Sequence, residues 1–218
     1  MIKMIFPGVF SINGRIATVN LAKGRRVYGE ETLMDNGVEY RLWNPYRSKL
    51  SAALLNGLRA MHITEGSKVL YLGAATGTTS SHVSDIVGHN GIVYCIELSE
   101  RNMRELINVC DARSNMLPIL GDARDTENYK GYIEECDVLY QDVSAREQSA
   151  ILKENSRFLK RGGFAYFIIK SQSIDVGKKP EEVFDAELKN LGDTFDIVEK
   201  VRLEPYDELH LFAVLKKR

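Results

Sequence analysis

At 218 residues the chain is long enough for one α/β layer structure with a sizeable core and a small appendage. Hydrophobic residues at 44% and charged residues at 27% are ordinary for a folded protein and exclude a disordered or fibrous chain. Basic and acidic residues nearly cancel, 29 against 30, so the chain lacks the basic excess by which a protein grips a long nucleic acid unaided; its small clusters, Lys23-Gly24-Arg25-Arg26 and Lys216-Lys217-Arg218, read as solvated surface.

The longest apolar runs, such as Phe164 to Ile169, are too short to span a bilayer, and the start has no signal-peptide pattern, so a soluble intracellular protein is expected. Cys95, Cys110 and Cys136 are odd in number and lie in apolar surroundings, which points to core thiols and not to a disulfide framework or a metal site. In chain order, Val9–Ile12, Ile16–Val19 and Val38–Trp43 are short β-type runs punctuated by Gly14, Gly24 and Asn36-Gly37. They predict antiparallel hairpins, hence a small N-terminal β region over residues 1–44 and a main domain over 45–218. Ser48 is expected to cap a helix running to about Met61, with Leu50, Ala53, Leu54, Leu58 and Met61 at helical spacing.

The stretch Lys68 to Thr79 is the centre of the pattern. Val69 to Leu72 form an apolar run without polar alternation, as in a strand buried on both faces. Gly73 and Gly77 then allow a tight turn, and Thr78 and Thr79 are expected to cap the following helix, whose N-terminus offers free N–H groups. This turn alone is a weak signal. A second apolar run, Ile92 to Glu97, ends in an acid twenty residues beyond Gly77, the offset at which nucleotide-binding α/β units place a ribose-binding carboxylate; the alternative is a solvated strand end.

Strands are predicted near 68–72, 92–97, 115–119, 137–142 and 163–169, and helices near 79–88, 100–112, 146–160 and 181–191. Such alternation implies right-handed crossovers and a parallel sheet. The runs 194–201 and 210–216 follow each other across a Glu204–Asp207 turn with no helix between, so the last strand should be reversed. A parallel sheet closed by a reversed strand is the α/β, Rossmann-like arrangement of S-adenosylmethionine-dependent methyltransferases. Ligands bind beyond the carboxyl ends of such strands, which brings together Gly73, Glu97, Asp122, Asp142 and Lys170, with His210 at the start of the reversed strand. Asp122 suits an adenine amino group or a loop cap; Asp142 and Lys170 suit catalysis or an ordinary ion pair, and His210 suits either a catalytic or a structural role.

The segments Glu39–Leu50 (Glu-Tyr-Arg-Leu-Trp-Asn-Pro-Tyr-Arg-Ser-Lys-Leu), Leu72–Thr79, Gln141-Asp142-Val143, and Ile169-Lys170 with Ser173-Ile174-Asp175 resemble the archaeal fibrillarin family of RNA 2′-O-methyltransferases, over nearly the whole chain. The resemblance implies a Lys-Asp-Lys-His tetrad at Lys49, Asp142, Lys170 and His210, although spacing alone leaves Lys49 a solvated first-turn lysine. It also implies S-adenosylmethionine contacts at Gly73, Ala74, Thr78, Thr79, Glu97, Leu98, Asp122, Ala123, Gln141, Asp142, Val143 and Ser144. Lys170 would accept the proton of the 2′-hydroxyl or orient it, helped by the charge of Lys49, and no metal is called for. Three departures stand out: Thr76 for a usual Ser, Ser144-Ala145-Arg146 after the aspartate, and Leu209-His210 where the family has Asp-His. The implied partners are a box C/D guide RNA with target rRNA or tRNA, a Nop-type scaffold and a kink-turn-binding ribosomal-protein-like subunit. The archaeal form, without a Gly/Arg-rich N-terminal extension, implies the cytoplasm. A same-fold methyltransferase of protein or small molecules and a non-catalytic RNA-complex subunit are the alternatives; a dehydrogenase would need a tighter Gly-x-Gly-x-x-Gly turn.

Overall fold

The structure is a computed structural model describing residues 1–218, with a five-stranded and a seven-stranded sheet. Strands β1 (Ile2–Phe6), β2 (Val9–Ile12), β3 (Arg15–Val19), β4 (Thr32–Asp35) and β5 (Val38–Leu42) form the first, antiparallel throughout, in the order β1-β2-β3-β5-β4. The hairpins β2–β3 and β4–β5 turn on Asn13-Gly14 and Asn36-Gly37, each with positive φ at both positions, the tight turn that matches strand twist. β1 and β4 are additional to the three runs expected there.

Helix α1 (Lys49–Leu55) is shorter than its apolar spacing predicts. Asn56 caps it, and Gly57 at φ 91° turns the chain, so Leu58 and Met61 are buried without being helical. Ser48 does not cap it through its side chain; its Oγ accepts instead from Thr79 Oγ1 at 2.9 Å.

The second sheet contains β6 (Lys68–Leu72), β7 (Ile92–Glu97), β8 (Met116–Leu120), β9 (Cys136–Gln141), β10 (Leu159–Lys170), β11 (Phe195–Arg202) and β12 (His210–Lys217), in the order β11-β12-β10-β9-β6-β7-β8. β6 to β10 pair in parallel, while β12 runs antiparallel to both β10 and β11, as expected of the reversed last strand. Helices α2 (Thr78–Val87), α3 (Glu100–Cys110), α4 (Gln148–Asn155), α5 (Ser171–Ile174) and α6 (Pro180–Asn190) complete the layers. α4 gives way to a 3₁₀ turn at Ser156–Phe158, so it is shorter than the expected 146–160 helix.

Successive strand residues face opposite cores. Val69 and Tyr71 pack with Val83, Leu106 and Leu50 on one face, and Leu70 and Leu72 pack with Ile151, Phe184 and Leu188 on the other. Val9, Ile16 and Trp43 belong to the first core, so the N-terminal sheet shares it with α1 and α2. All three cysteines are buried and free. No helix is long and apolar enough to cross a membrane.

Candidate active site

The strand order reverses between β6 and β9, and a cleft of about 780 Å³ opens beyond their carboxyl ends. Its back wall is the turn after β6. Gly73 N and Ala74 N donate to Ile96 O, and Gly73 has φ 80°, where a Cβ would stand 2.7 Å from Asp142 O. Any side chain there would push β6 away from the segment carrying the acid. Ala75 is left-handed at φ 48° and is held so by Glu97, whose Oε2 accepts from Ala75 N at 2.8 Å. Glu97 Oε1 accepts from Ser99 N at the start of α3, so this carboxylate joins two strand ends and is only 7% exposed, which rules out a solvated strand end.

Beyond Asp142, an alternating chain of charges leads out of the cleft. Lys170 Nζ lies 2.8 Å from Asp142 Oδ1 and donates to Asp142 O at 3.1 Å and Ser144 Oγ at 3.2 Å. Asp142 Oδ2 accepts from Lys49 Nζ at 3.1 Å, and Lys49 Nζ lies 3.6 Å from Asp207 Oδ2. Asp207 Oδ1 in turn accepts from His210 Nδ1. Lys170 and His210 are direct cross-strand neighbours of β10 and β12. Burial pulls the Lys49 ammonium down, but the two carboxylates outweigh it and hold its pKa above the usual lysine value. Burial likewise pushes Asp207 up, and the His210 hydrogen bond with the His210 and Lys49 charges more than reverses this. The group of side chains is mostly covered, from 12% exposed at Lys170 to 26% at Asp207.

The four expected tetrad residues therefore meet, and a fifth, Asp207, links two of them. The sequence shows Leu209 where an acid would precede His210; Leu209 instead takes φ 62°, its carbonyl held by Ser171 N and Oγ, and this turn returns Asp207 to the histidine. Of the expected cofactor residues, Gly73, Glu97, Leu98, Asp122, Ala123, Asp142, Val143 and Ser144 line the cleft. Ala74, Thr78, Thr79 and Gln141 do not, and Lys49 and His210 sit beyond its wall. Gln141 is fully buried and donates to Gln148 O at 2.7 Å, while Thr79 turns to Ser48. Neither threonine caps α2 through its side chain, because Gly77 at φ 93° occupies the cap. Asp122 has both oxygens on Arg124, so an adenine amino group would compete with a guanidinium. The basic cluster 216–218 lies at the far end of β12 from His210, with Lys217 donating to Ser156 O and Leu159 O and Arg218 paired with Asp196.

The family model described as Fibrillarin matches residues 2–218. The chain belongs to the fibrillarin family. A protein of Pyrococcus furiosus named fibrillarin-like rRNA/tRNA 2′-O-methyltransferase is 47% identical over 218 residues, covering 97% of this chain and 96% of its own. The structure of Aeropyrum pernix fibrillarin in complex with natively bound S-adenosyl-L-methionine is similar at TM-score 0.89 and 45% identity, over 99% of both chains. A fibrillarin chain from a fibrillarin/Nop5p complex matches at TM-score 0.91 and 38% identity, over 99% of this chain and 100% of that one. The expected family and the methyltransferase fold with its reversed strand are thereby borne out.

Proposed function

We propose that this fibrillarin-family chain transfers methyl groups from S-adenosylmethionine to ribose 2′-hydroxyls of rRNA and tRNA. Target sites are selected by a box C/D guide RNA on a Nop-type scaffold, with a kink-turn-binding subunit, in the cytoplasm of an archaeal-type cell. The observation that carries this reading is the junction of a nucleotide-sized cleft with the Lys170–Asp142–Lys49 cluster at its inner end.

The cleft fits the cofactor. Gly73 leaves room against the backbone, Glu97 retains acceptor capacity for ribose hydroxyls beside its backbone partners, and Leu98, Val143 and Ile151 supply apolar wall. Asp142 Oδ1 is ion-paired with Lys170 Nζ at 2.8 Å but is met by no well-aligned hydrogen-bond donor, so it keeps acceptor capacity beside the cleft. The bound cofactor supplies an electrophilic methyl group on a sulfonium. What remains for the protein is to position the hydroxyl and receive its proton, and alignment alone can account for several kcal/mol of barrier reduction, about 7–11 in favourable cases. Lys170, fixed by Asp142 and Ser144, orients the hydroxyl oxygen through an N–H; Asp142 receives the proton. Lys49 holds the other Asp142 oxygen, and Asp207 with His210 holds Lys49.

Labelled methyl transfer to guide-paired RNA tests the proposal. Incorporation at ribose in the presence of guide RNA and both protein partners is expected. Incorporation only into protein or metabolites would overturn it.

A further inference from the structure

One large aromatic side chain next to the charge network is left in the open. Tyr46 is 68% exposed, although it lies three residues before Lys49. It is nevertheless fixed in place. Its backbone N–H donates to Asn44 Oδ1 at 2.9 Å, and its ring meets that of Tyr206 edge to face, with centroids 5.2 Å apart and planes at 74°. Tyr206 is itself partly buried against the first core and immediately precedes Asp207, the acid that pairs with Lys49 and His210. The two rings thus tie together the two segments that carry the outer half of the network, and one of them presents an aromatic surface to solvent. Arg47, exposed and in no ion pair, adjoins it.

We propose that Tyr46, braced by Tyr206, is a substrate-positioning residue whose ring carries a nucleoside of the target RNA beside the reacting ribose. The inference rests on the functional reading above and deepens it. Single-stranded and splayed nucleotides are held by stacking on exposed aromatic rings, an interaction tolerant of base identity, as a guided enzyme requires. The cofactor is not the occupant, because Tyr46 lies outside the cleft lining. Arg47 supplies a free guanidinium for the phosphate that accompanies any stacked nucleotide. A pre-fixed ring also loses little freedom on binding.

The test uses the assembled complex of this chain with scaffold, kink-turn protein and guide RNA, and compares wild type, Tyr46→Ala and Tyr46→Phe. Tyr46→Ala should raise KM for target RNA about tenfold, the scale of one lost stacking contact, with kcat changed by less than about threefold. Tyr46→Phe should restore KM, since the ring and not the hydroxyl does the holding. Cofactor affinity, Tm and co-elution with the scaffold should match wild type in both variants. An unchanged KM in Tyr46→Ala overturns the inference, as does a Tyr46→Phe enzyme equally impaired. Lost co-elution in Tyr46→Ala would make the ring a protein-docking contact and also overturn it. An inactive wild-type assembly would remove the functional reading itself, and this inference with it.

Discussion

Two networks of alternating charge hold this molecule, and they differ in exposure and in how fully their acceptors are used. Between the N-terminal sheet and α2, Arg41 donates to Glu30 at 2.7 Å, Asp85 at 2.8 Å and Ser81 at 3.0 Å, and Asp85 also accepts from Arg113, Thr18 and Leu21 N. His82, fully buried and stacked on Trp43, continues it between Thr18 and Tyr28. Burial, and then the Arg41 and Arg113 charges, keep its pKa well below the ordinary histidine value. The side chains of Arg41, Glu30 and Asp85 are at most 1% exposed, and each carboxylate meets several donors. At the ends of β9 and β10 the second network has the same alternation but is partly exposed, and one oxygen, Asp142 Oδ1, meets only the Lys170 ammonium at 2.8 Å, with no well-aligned hydrogen-bond donor. The first is closed and fixes how two sheets meet; the second has capacity left over, which is what a reacting group requires. A buried network with all its members fully hydrogen-bonded rigidifies, whereas one with an incompletely used acceptor beside a cleft is poised for a ligand.

The comparison can be broken by exchanging the consequences of mutation. Arg41→Met should destabilise the fold by about 3–5 kcal/mol, because Glu30 and Asp85 would be left buried with too little positive charge, and Tm should fall by about 6–20 °C in thermal unfolding. Methyl transfer per folded molecule should persist. Lys170→Ala should do the reverse, slowing single-turnover transfer by about 10²–10⁴-fold with little change in Tm or in cofactor Kd. Glu97→Ala should weaken S-adenosylmethionine by about 1–3 kcal/mol in calorimetric titration, since it removes a charged acceptor and frees the left-handed Ala75.

The smallest effect concerns pH. Because Asp207 is held below its ordinary value, its contribution to stability is full above about pH 4 and is lost as pH falls through the lowered native pKa. Lys49, held above its ordinary value, contributes fully below about pH 10 and loses this as pH rises through the raised one. Asp207→Asn should therefore modestly lower stability at neutral pH and flatten the acid limb of a stability–pH curve measured by denaturant titration, with variant and wild type converging as pH falls through the lowered native pKa.

The parallel sheet was legible because its strands are apolar on both faces, and the reversed strand because no helix separates Val201 from His210. The helix after Ser48 was over-extended because apolar spacing continues past Gly57, where the backbone cannot follow it. In the site, the strand-end positions of Glu97, Asp142 and Lys170 followed from topology, and Lys49 came from the resemblance. Asp207 was hidden, since its approach to His210 depends on a left-handed Leu209 that no spacing rule anticipates. Tyr46 sat within the matched segment, but its exposure and its brace on Tyr206 are tertiary facts. The basic residues 216–218 read in the sequence as solvated surface, yet Lys217 and Arg218 hold the far edge of the sheet together.

The central claim, that the open network performs the chemistry, is tested most directly by Asp142→Asn. The substitution keeps the shape while removing the charge between Lys49 and Lys170 and the acceptor for the hydroxyl proton. In the assembled complex, single-turnover methyl transfer should fall by about 10²–10⁴-fold, with the scaffold still bound. A rate within a few-fold of wild type would contradict the account.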